Sequence, residues 1–504
     1  MRRPLRIASA LVIALLFAAF VARPLEAAKR RRRNLRPAPA APALSGELAD
    51  RLATLAKKSG FGGSQLGIAV AEVGKGAKPV LLFNGDKPLI LASTTKVFTT
   101  SSAFDKLGTD YKFRTRLYRD AEITADGTLN GRLIVVGGGD PAISGRLYDN
   151  DPLAAFRMWA DALARMGVRK IRDGLQLDTS FFDDLQIHPD WPAEQEQNWW
   201  QAPISALSYN DNVVLVRATG SGRPGVPAQL GFLPFGPPLL TVRGRVTTVP
   251  GYGSNVRVRR EAGSREVLAS GLVGRNATWT GDVTVPDPPL YFAGALRAAL
   301  REAGIELGGD SLVKPHANKG ALTLLHTHET PILPAISICN KRSQSFYAEQ
   351  ILKTLGAEGQ GRGTWENGEK EVRSFLQRLG LDPSHYELVD GSGRSRANRA
   401  SPVAYLDFLE ALATRWDKFP LYESSLAVSG DMDGSLRHRM LGPFTKGRVH
   451  AKTGNLNGVV TLAGYVKAQS NKVYAFCILI NGGGAEGGGH AFQDRFVTEI
   501  ARSG

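Results

Sequence analysis

The segment "LASTTKVFTT", Leu91–Thr100, places Ser93 and Lys96 three positions apart. On a helix these two would share a face. A serine hydroxyl is a poor nucleophile until a base takes its proton. A lysine that is partly desolvated, or close to other cations, has a lowered pKa and can be that base. On an apolar face such a lysine is costly unless it is paired or has chemistry to do. One Ser-x-x-Lys spacing is unsurprising in a chain of this length, so the pair alone is a weak signal. A second element strengthens it. "AKTGNLNGV", Ala451–Val459, has Lys452, Thr453 and Gly454 opening a strand and hairpin. A lysine and a threonine on an edge strand can hold a substrate carboxylate by charge and hydrogen bond. Gly454 would let a substrate backbone approach closely. Lys58-Ser59-Gly60 has a similar look but ends a helical pattern, so it reads as a C-cap.

The elements that must position these residues follow from periodicity. "LADRLATLAKKSG" reads as an amphipathic helix stopped by Gly60. "QLGIAVAEV" and "PVLLFNGDKPLI" read as strands, and "ASTTKVFTTSSAFDKLG" as a helix ending at Gly108. From about 112 to 312 many short strands with Gly, Asp and Asn turns suggest one or two mostly β domains inserted in the chain, with helices at "PLAAFRMWADALARMG" and "LYFAGALRAALREAGI". Helices return with "QSFYAEQILKTLG", "GEKEVRSFLQRLG" and "SPVAYLDFLEALAT". The last strands, "VHAKTGNLNGVVTLAGYVKA" and "KVYAFCILING", would pair beside the first two. The terminal helix "HAFQDRFVTEIARS" would pack with the first helix on that sheet.

The chain has 504 residues, 43% of them hydrophobic and 22% charged, as an ordinary globular protein of about three domains has. Its start differs. Arg2, Arg3 and Arg6 precede an apolar run from Ile7 to Ala22, the form of a secretory signal and short for a membrane span. The alternative is an uncleaved N-terminal anchor, because "KRRRR" at 29–33 follows the run. That basic segment would touch anionic lipid or wall polymer, or be a solvated tail. "RPAPAAPA", Arg36–Ala43, reads as a linker. The net charge is +16, with +9 in residues 1–36 and +7 beyond, too little to support a nucleic-acid role. Cys339 and Cys477 allow one disulfide in an exported protein, but both sit in apolar surroundings and read more readily as two buried thiols. The scattered histidines, with His326 and His328 as the nearest pair, give no metal set, and no metal or cofactor is expected.

A Ser-x-x-Lys followed by a Ser-x-Asn and a Lys-Thr-Gly is the signature of β-lactamases and penicillin-binding proteins. The middle element is altered here. "NKRSQSFYAEQILKTLG", Asn340–Gly356, has Ser343-Gln344-Ser345 in that place, whereas a literal Ser208-Tyr209-Asn210 occurs earlier. Ser343 is preferred because a helix follows it and it lies after the insertion. On this basis the chain, over roughly 45–504, resembles the class C low-molecular-mass penicillin-binding proteins, the serine D-alanyl-D-alanine carboxypeptidase/endopeptidases. The ordered set that carries the resemblance is "ASTTKVFTT", "LIVVGGGDPAIS", "ISALSYNDN", "NKRSQSFYAEQILKTLG", "LVDGSGRSRANRASP", "VSGDMDGSLRHRM" and "HAKTGNLNGVVTLAGYV". The 250 positions between Ser93 and Ser343 look like the large insertion that separates this family from compact β-lactamases.

The resemblance implies roles position by position. Ser93 would be the acyl-enzyme nucleophile and Lys96 its general base, and Ser343 would relay a proton to the leaving amine. Lys452 and Thr453 would bind the terminal carboxylate, beside Gly454, and the N–H groups of Ser93 and Asn455 would form the oxyanion hole. Ser345 replaces the family's asparagine; its shorter side chain cannot both donate an amide N–H and accept at a carbonyl oxygen. A water could bridge the difference, with activity lowered or substrate preference altered. Asp178, in "LDTSFFDD", resembles the inserted segment that approaches the substrate side chain, or is a surface turn. "VDGSG", 389–393, borders the cleft or is a turn between helices. "VVGGGDP" lacks the lysine and spacing of a phosphate loop and reads as a tight turn. Trp191, Trp199 and Trp200 read as core or interface.

The expected fold is α/β (α+β), a β-lactamase/penicillin-binding transpeptidase-like domain with an antiparallel sheet of about five strands flanked by helices. The expected division is a signal at 1–28, a basic and Pro/Ala linker at 29–44, the main domain at 45–111 and 321–504, and inserted β-rich domains at 112–320. The expected partners are peptidoglycan stem peptides, with β-lactams as inhibitors, in the periplasm or otherwise outside the cytoplasm. A β-lactamase and a non-catalytic wall-binding protein on the same fold are the alternatives.

Overall fold

The computed structural model describes residue 35 and residues 46–61, 65–74, 78–234, 240–315 and 319–503. The expected signal at 1–28 and the basic segment and linker at 29–44 lie outside the described residues, apart from Leu35. No helix of the described residues is long and apolar enough to cross a membrane.

The main domain is built on a six-stranded antiparallel sheet rather than about five strands. In spatial order its strands are Pro79–Phe83, Leu66–Glu72, Val473–Asn481, Val459–Lys467, Val449–Leu456 and the two-residue Ala427–Val428. That short edge strand is too brief to register as a hydrophobic period. The other strands read as near-continuous apolar runs because both faces are covered. Alternate residues separate cleanly. Ile68, Val70, Ile478 and Ile480 pack under the helices Glu47–Lys57 and Gly489–Ala501, against Leu52, Phe492, Phe496 and Ile500. Ala69, Ala71, Cys477 and Leu479 face the opposite core, with Phe98, Phe408 and Tyr405. The first and last helices therefore share one face of the sheet, as expected. The other face receives helices Lys96–Leu107 and Pro402–Arg415.

The insertion differs from a mostly β reading. Its larger sheet runs Ser311–Val313, Leu175–Asp178, Leu133–Val136, Lys112–Arg119 and Thr323–Pro331, and its first three strands are parallel. Parallel neighbours need crossovers; helices Ala154–Arg165 and Pro288–Glu302 lie in those connections and pack Phe156, Trp159 and Phe292 into a separate core. The strand Thr323–Pro331 pairs with Lys112–Arg119, so the sheet of the insertion extends past 321, and the main domain resumes with helix Ile332–Lys341. Nested within the insertion, residues 213–284 form two further three-stranded sheets. The glycines of "VVGGGDP" serve packing: a Cβ on Gly138 would lie 2.0 Å from the Arg114 carbonyl oxygen.

Candidate active site

Ser93 lies in a 3-10 turn, Ala92–Thr95, that runs into helix Lys96–Leu107. The expected single helix thus begins as a tighter turn. Ala92 just before the serine has φ 48°, a left-handed conformation rare outside glycine. The turn is held by Thr94 Oγ1, which donates to the Leu91 carbonyl at 2.7 Å, and by Tyr405, whose hydroxyl donates to the Thr94 carbonyl at 2.8 Å.

Lys96 is fully buried. Its Nζ lies 2.8 Å from Ser93 Oγ, 2.7 Å from the Ser392 carbonyl oxygen and 3.3 Å from Ser345 Oγ. Burial lowers its pKa to about 8, against the opposing pull of Cys339, Glu349 and Asp390. A neutral lysine has two N–H donors and one lone pair. With the donors engaged by Ser392 and Ser345, the lone pair is left for the Ser93 hydroxyl.

The Ser392 carbonyl is itself held by buried carboxylates. Glu349, one turn beyond Ser345 on helix Ser345–Gln360, accepts from the N–H groups of Ser392 at 2.7 Å and Gly391 at 2.9 Å, and from Trp365 Nε1 at 2.7 Å. Burial, with Asp390 nearby, pushes Glu349 up to about 7. Asp390 accepts from the N–H groups of Gly393 at 2.7 Å and Ser395 at 2.6 Å, from Asn398 Nδ2 at 2.9 Å and from Trp191 Nε1 at 2.9 Å. Gly393 has φ +78°, and a Cβ there would sit 1.8 Å from the Ala92 carbonyl oxygen. The "VDGSG" segment is therefore a floor under the serine turn and the lysine, and Trp191 is part of its support.

Across from Lys96, Ser343 has φ 58° and brings its Oγ 2.8 Å from Lys452 Nζ. Lys452 also donates to the Thr453 carbonyl at 2.7 Å. It is fully buried, and burial, with Lys96 adding to it, lowers its pKa well below the ordinary value. Thr453 Oγ1 donates to Ser435 Oγ at 2.9 Å. Gly454 packs within the protein: a Cβ there would meet Thr461 Oγ1 at 2.2 Å and Ser93 N at 2.9 Å. Its lack of a side chain is thus what brings the strand against the serine turn. Asn455 Oδ1 lies 3.0 Å from His490 Nε2. The neighbouring strand Ala427–Val428 pairs only with Ala451 and His450, which leaves the backbone edge from Lys452 onward uncovered by a strand.

The structure thus brings Ser93, Lys96, Ser343, Ser345, Lys452, Thr453 and Gly454 together. Asp178 is fully buried at the end of its strand, where Oδ1 accepts from the Ser180 N–H at 2.9 Å; it is no surface turn. The literal Ser-x-Asn at Ser208 lies in the insertion, where Ser208 Oγ donates to the Ser205 carbonyl at 2.8 Å. Cys339 and Cys477 are separate buried thiols, and burial pushes Cys339 up to about 12. Ser392 lies in the "VDGSG" segment that the sequence offered as a border of the cleft, whereas Glu349 and Ser435 were not singled out individually. The only signal for Glu349 was its place one turn after Ser345 on a helix pointed at the site.

A serine held against a buried lysine, beside an uncovered strand edge carrying a second lysine, on an antiparallel sheet with helices on both faces, defines the penicillin-recognising class of serine enzymes. The chain belongs to the D-Ala-D-Ala carboxypeptidase 3 (S13) family, whose model matches residues 48–499. It is 30% identical over 470 residues to the D-alanyl-D-alanine carboxypeptidase of Actinomadura sp. strain R39, covering 90% of this chain and 84% of that protein. The crystal structure of penicillin binding protein 4 from Haemophilus influenzae superposes with a TM-score of 0.77 at 25% identity, covering 90% of this chain and 99% of that one. The same protein complexed with a β-lactam superposes with a TM-score of 0.72 at 25% identity, over 89% of this chain and 98% of that one.

Proposed function

We propose that the chain is an exported serine-type D-alanyl-D-alanine carboxypeptidase that acts on peptidoglycan stem peptides through an acyl-enzyme on Ser93. Ser93 Oγ attacks the carbonyl of the penultimate D-alanine as its proton passes to Lys96. The N–H groups of Ser93 and Asn455 receive the oxyanion. Collapse expels D-alanine, whose amine takes a proton through Ser343. Water then attacks the ester, releasing the shortened peptide and restoring the serine hydroxyl. Lys452 and Thr453 hold the terminal carboxylate, and the uncovered edge from Lys452 accepts the peptide backbone as an added strand. The observation that carries this reading is the placement of Lys96 Nζ, 2.8 Å from Ser93 Oγ and 2.7 Å from a fixed carbonyl, which leaves it one task.

The same chemistry cuts cross-linked stem peptides, so DD-endopeptidase activity belongs to this proposal. β-Lactams, which present a strained amide to the same serine, are its inhibitors. A periplasmic or otherwise exported location rests on the apolar run Ile7–Ala22. Intact-protein mass spectrometry after incubation with benzylpenicillin tests the reading. One adduct on the wild type and none on Ser93→Ala is expected. No adduct on either would leave a non-catalytic wall-binding protein, and rapid turnover of a chromogenic β-lactam would make it a β-lactamase.

A further inference from the structure

Residues 213–284 hold nine arginines and no lysine against two glutamates and one aspartate, a net +6. The whole chain from residue 37 onward carries +7, so this nested unit holds nearly all of the charge outside the N-terminal segment. Its second sheet arranges that charge. Strand Glu266–Gly274 is central, with Thr241–Val249 on one side and Asn255–Arg260 on the other. Val246, Val256, Ala269 and Val273 point inward to a small core. The register then fixes the outer face row by row. Arg243, Leu268 and Arg259 lie abreast, followed by Arg245, Ser270 and Arg257, then Thr247, Leu272 and Asn255.

The face is thus two rails of arginine with exposed leucines between them, Leu268 at 49% and Leu272 at 46%. Tyr252, in the turn joining the outer strands, is 87% exposed. Arg243 pairs with Glu266 at 3.3 Å and Arg259 with Glu261 at 3.4 Å, all largely in solvent, where such pairs are worth little. Arg245 and Arg257 have no ion-pair partner among the described residues.

We propose that this sheet face docks on an anionic lipid bilayer. Guanidinium groups bind phosphate in two-point geometry, and four on one face of a sheet can meet a plane of headgroups together. The leucines between the rails decide against a soluble polyanion: a phosphate polymer has no use for them, whereas the headgroup boundary accepts cationic and apolar side chains together. Docking there would hold the enzyme at the surface of the membrane, with this nested unit as the contact.

The basic segment 29–33 of the same chain can reach the same vesicles, so the test reads the face locally. The native cysteines are buried, which allows a single environment-sensitive fluorophore on Leu272→Cys in the full chain, with Ser270→Cys as a second position. Vesicles of phosphatidylglycerol and phosphatidylcholine in equal parts should shift the emission to the blue; pure phosphatidylcholine should not. An arginine near an anionic surface contributes about fivefold in partitioning. Replacing Arg243, Arg245, Arg257 and Arg259 together by Gln should therefore weaken the response by roughly 600-fold, with penicillin acylation of Ser93 unchanged. No blue shift while the protein sediments with the vesicles would place the contact in the N-terminal segment and overturn the proposal. A response to soluble polyphosphate but not to vesicles would overturn it in favour of a phosphate polymer.

Discussion

Lys96 Nζ and the carbonyl oxygen of Ser392, 296 positions apart in the chain, are 2.7 Å apart in the fold. In the neutral amine this contact occupies one N–H donor, which frees the lone pair for Ser93. It depends on a loop that two buried carboxylates hold in place.

Acylation should rise with pH through about 8, the value to which burial lowers Lys96. The sign follows from the role. Protonated Lys96 cannot accept the serine proton, so the rate falls as pH drops below the folded pKa and levels off above it. The benzylpenicillin acylation rate between pH 6 and 9 measures this, and a flat profile would refute a lysine base. Lys96→Arg, which cannot deprotonate, should lower the rate by ~10²–10⁴.

Glu349→Gln keeps the volume but replaces one acceptor oxygen with an amide NH₂ facing donors that the carboxylate now accepts from. A buried donor left unsatisfied costs about 1–3 kcal/mol. The variant should melt several degrees lower. Loss of the negative charge, which raises the Lys96 pKa, should also move the acylation midpoint to lower pH. An unshifted midpoint in a destabilised variant would reduce Glu349 to a purely structural residue.

Gly393→Ala should destabilise by at least about 2 kcal/mol, because left-handed φ and a clash with the Ala92 carbonyl coincide there. Gly361, with φ +79° and no atom within 4 Å of where a Cβ would sit, is the control. Gly361→Ala should cost only the backbone strain, about 1–2 kcal/mol. Equal thermal shifts in the two variants would show that the floor under Ala92 can move.

Ser345→Asn should speed benzylpenicillin acylation by up to about tenfold. The Lys96–Ser345 contact, at 3.3 Å, is the longest of the three, and an asparagine reaches further while adding an amide donor. Single-turnover mass spectrometry compares the two, and a slower variant would mean that the site is adapted to serine.

Much of the site is legible in the sequence because it is local. Ser93 and Lys96 are three apart, and Lys452, Thr453 and Gly454 are consecutive. The insertion read less well. Its parallel strands are joined by long crossovers, and Thr323–Pro331 pairs with a strand some 200 positions earlier, a partnership no local period reveals. Gly454 was read as room for substrate, yet the atoms it accommodates are Thr461 and Ser93, which only the fold brings there.

The sequence by itself determined the functional groups: a serine, two lysines, the hydroxyls around them, and the apolar strands that make the sheet. Tertiary structure decided what those groups can do. A lysine in water near pH 7 is protonated and inert as a base. Lys96 becomes one because the helix carrying Glu349, the loop carrying Ser392 and the strand carrying Lys452 close over it from remote parts of the chain. Desolvation is a property of that enclosure, and no spacing along the sequence encodes it.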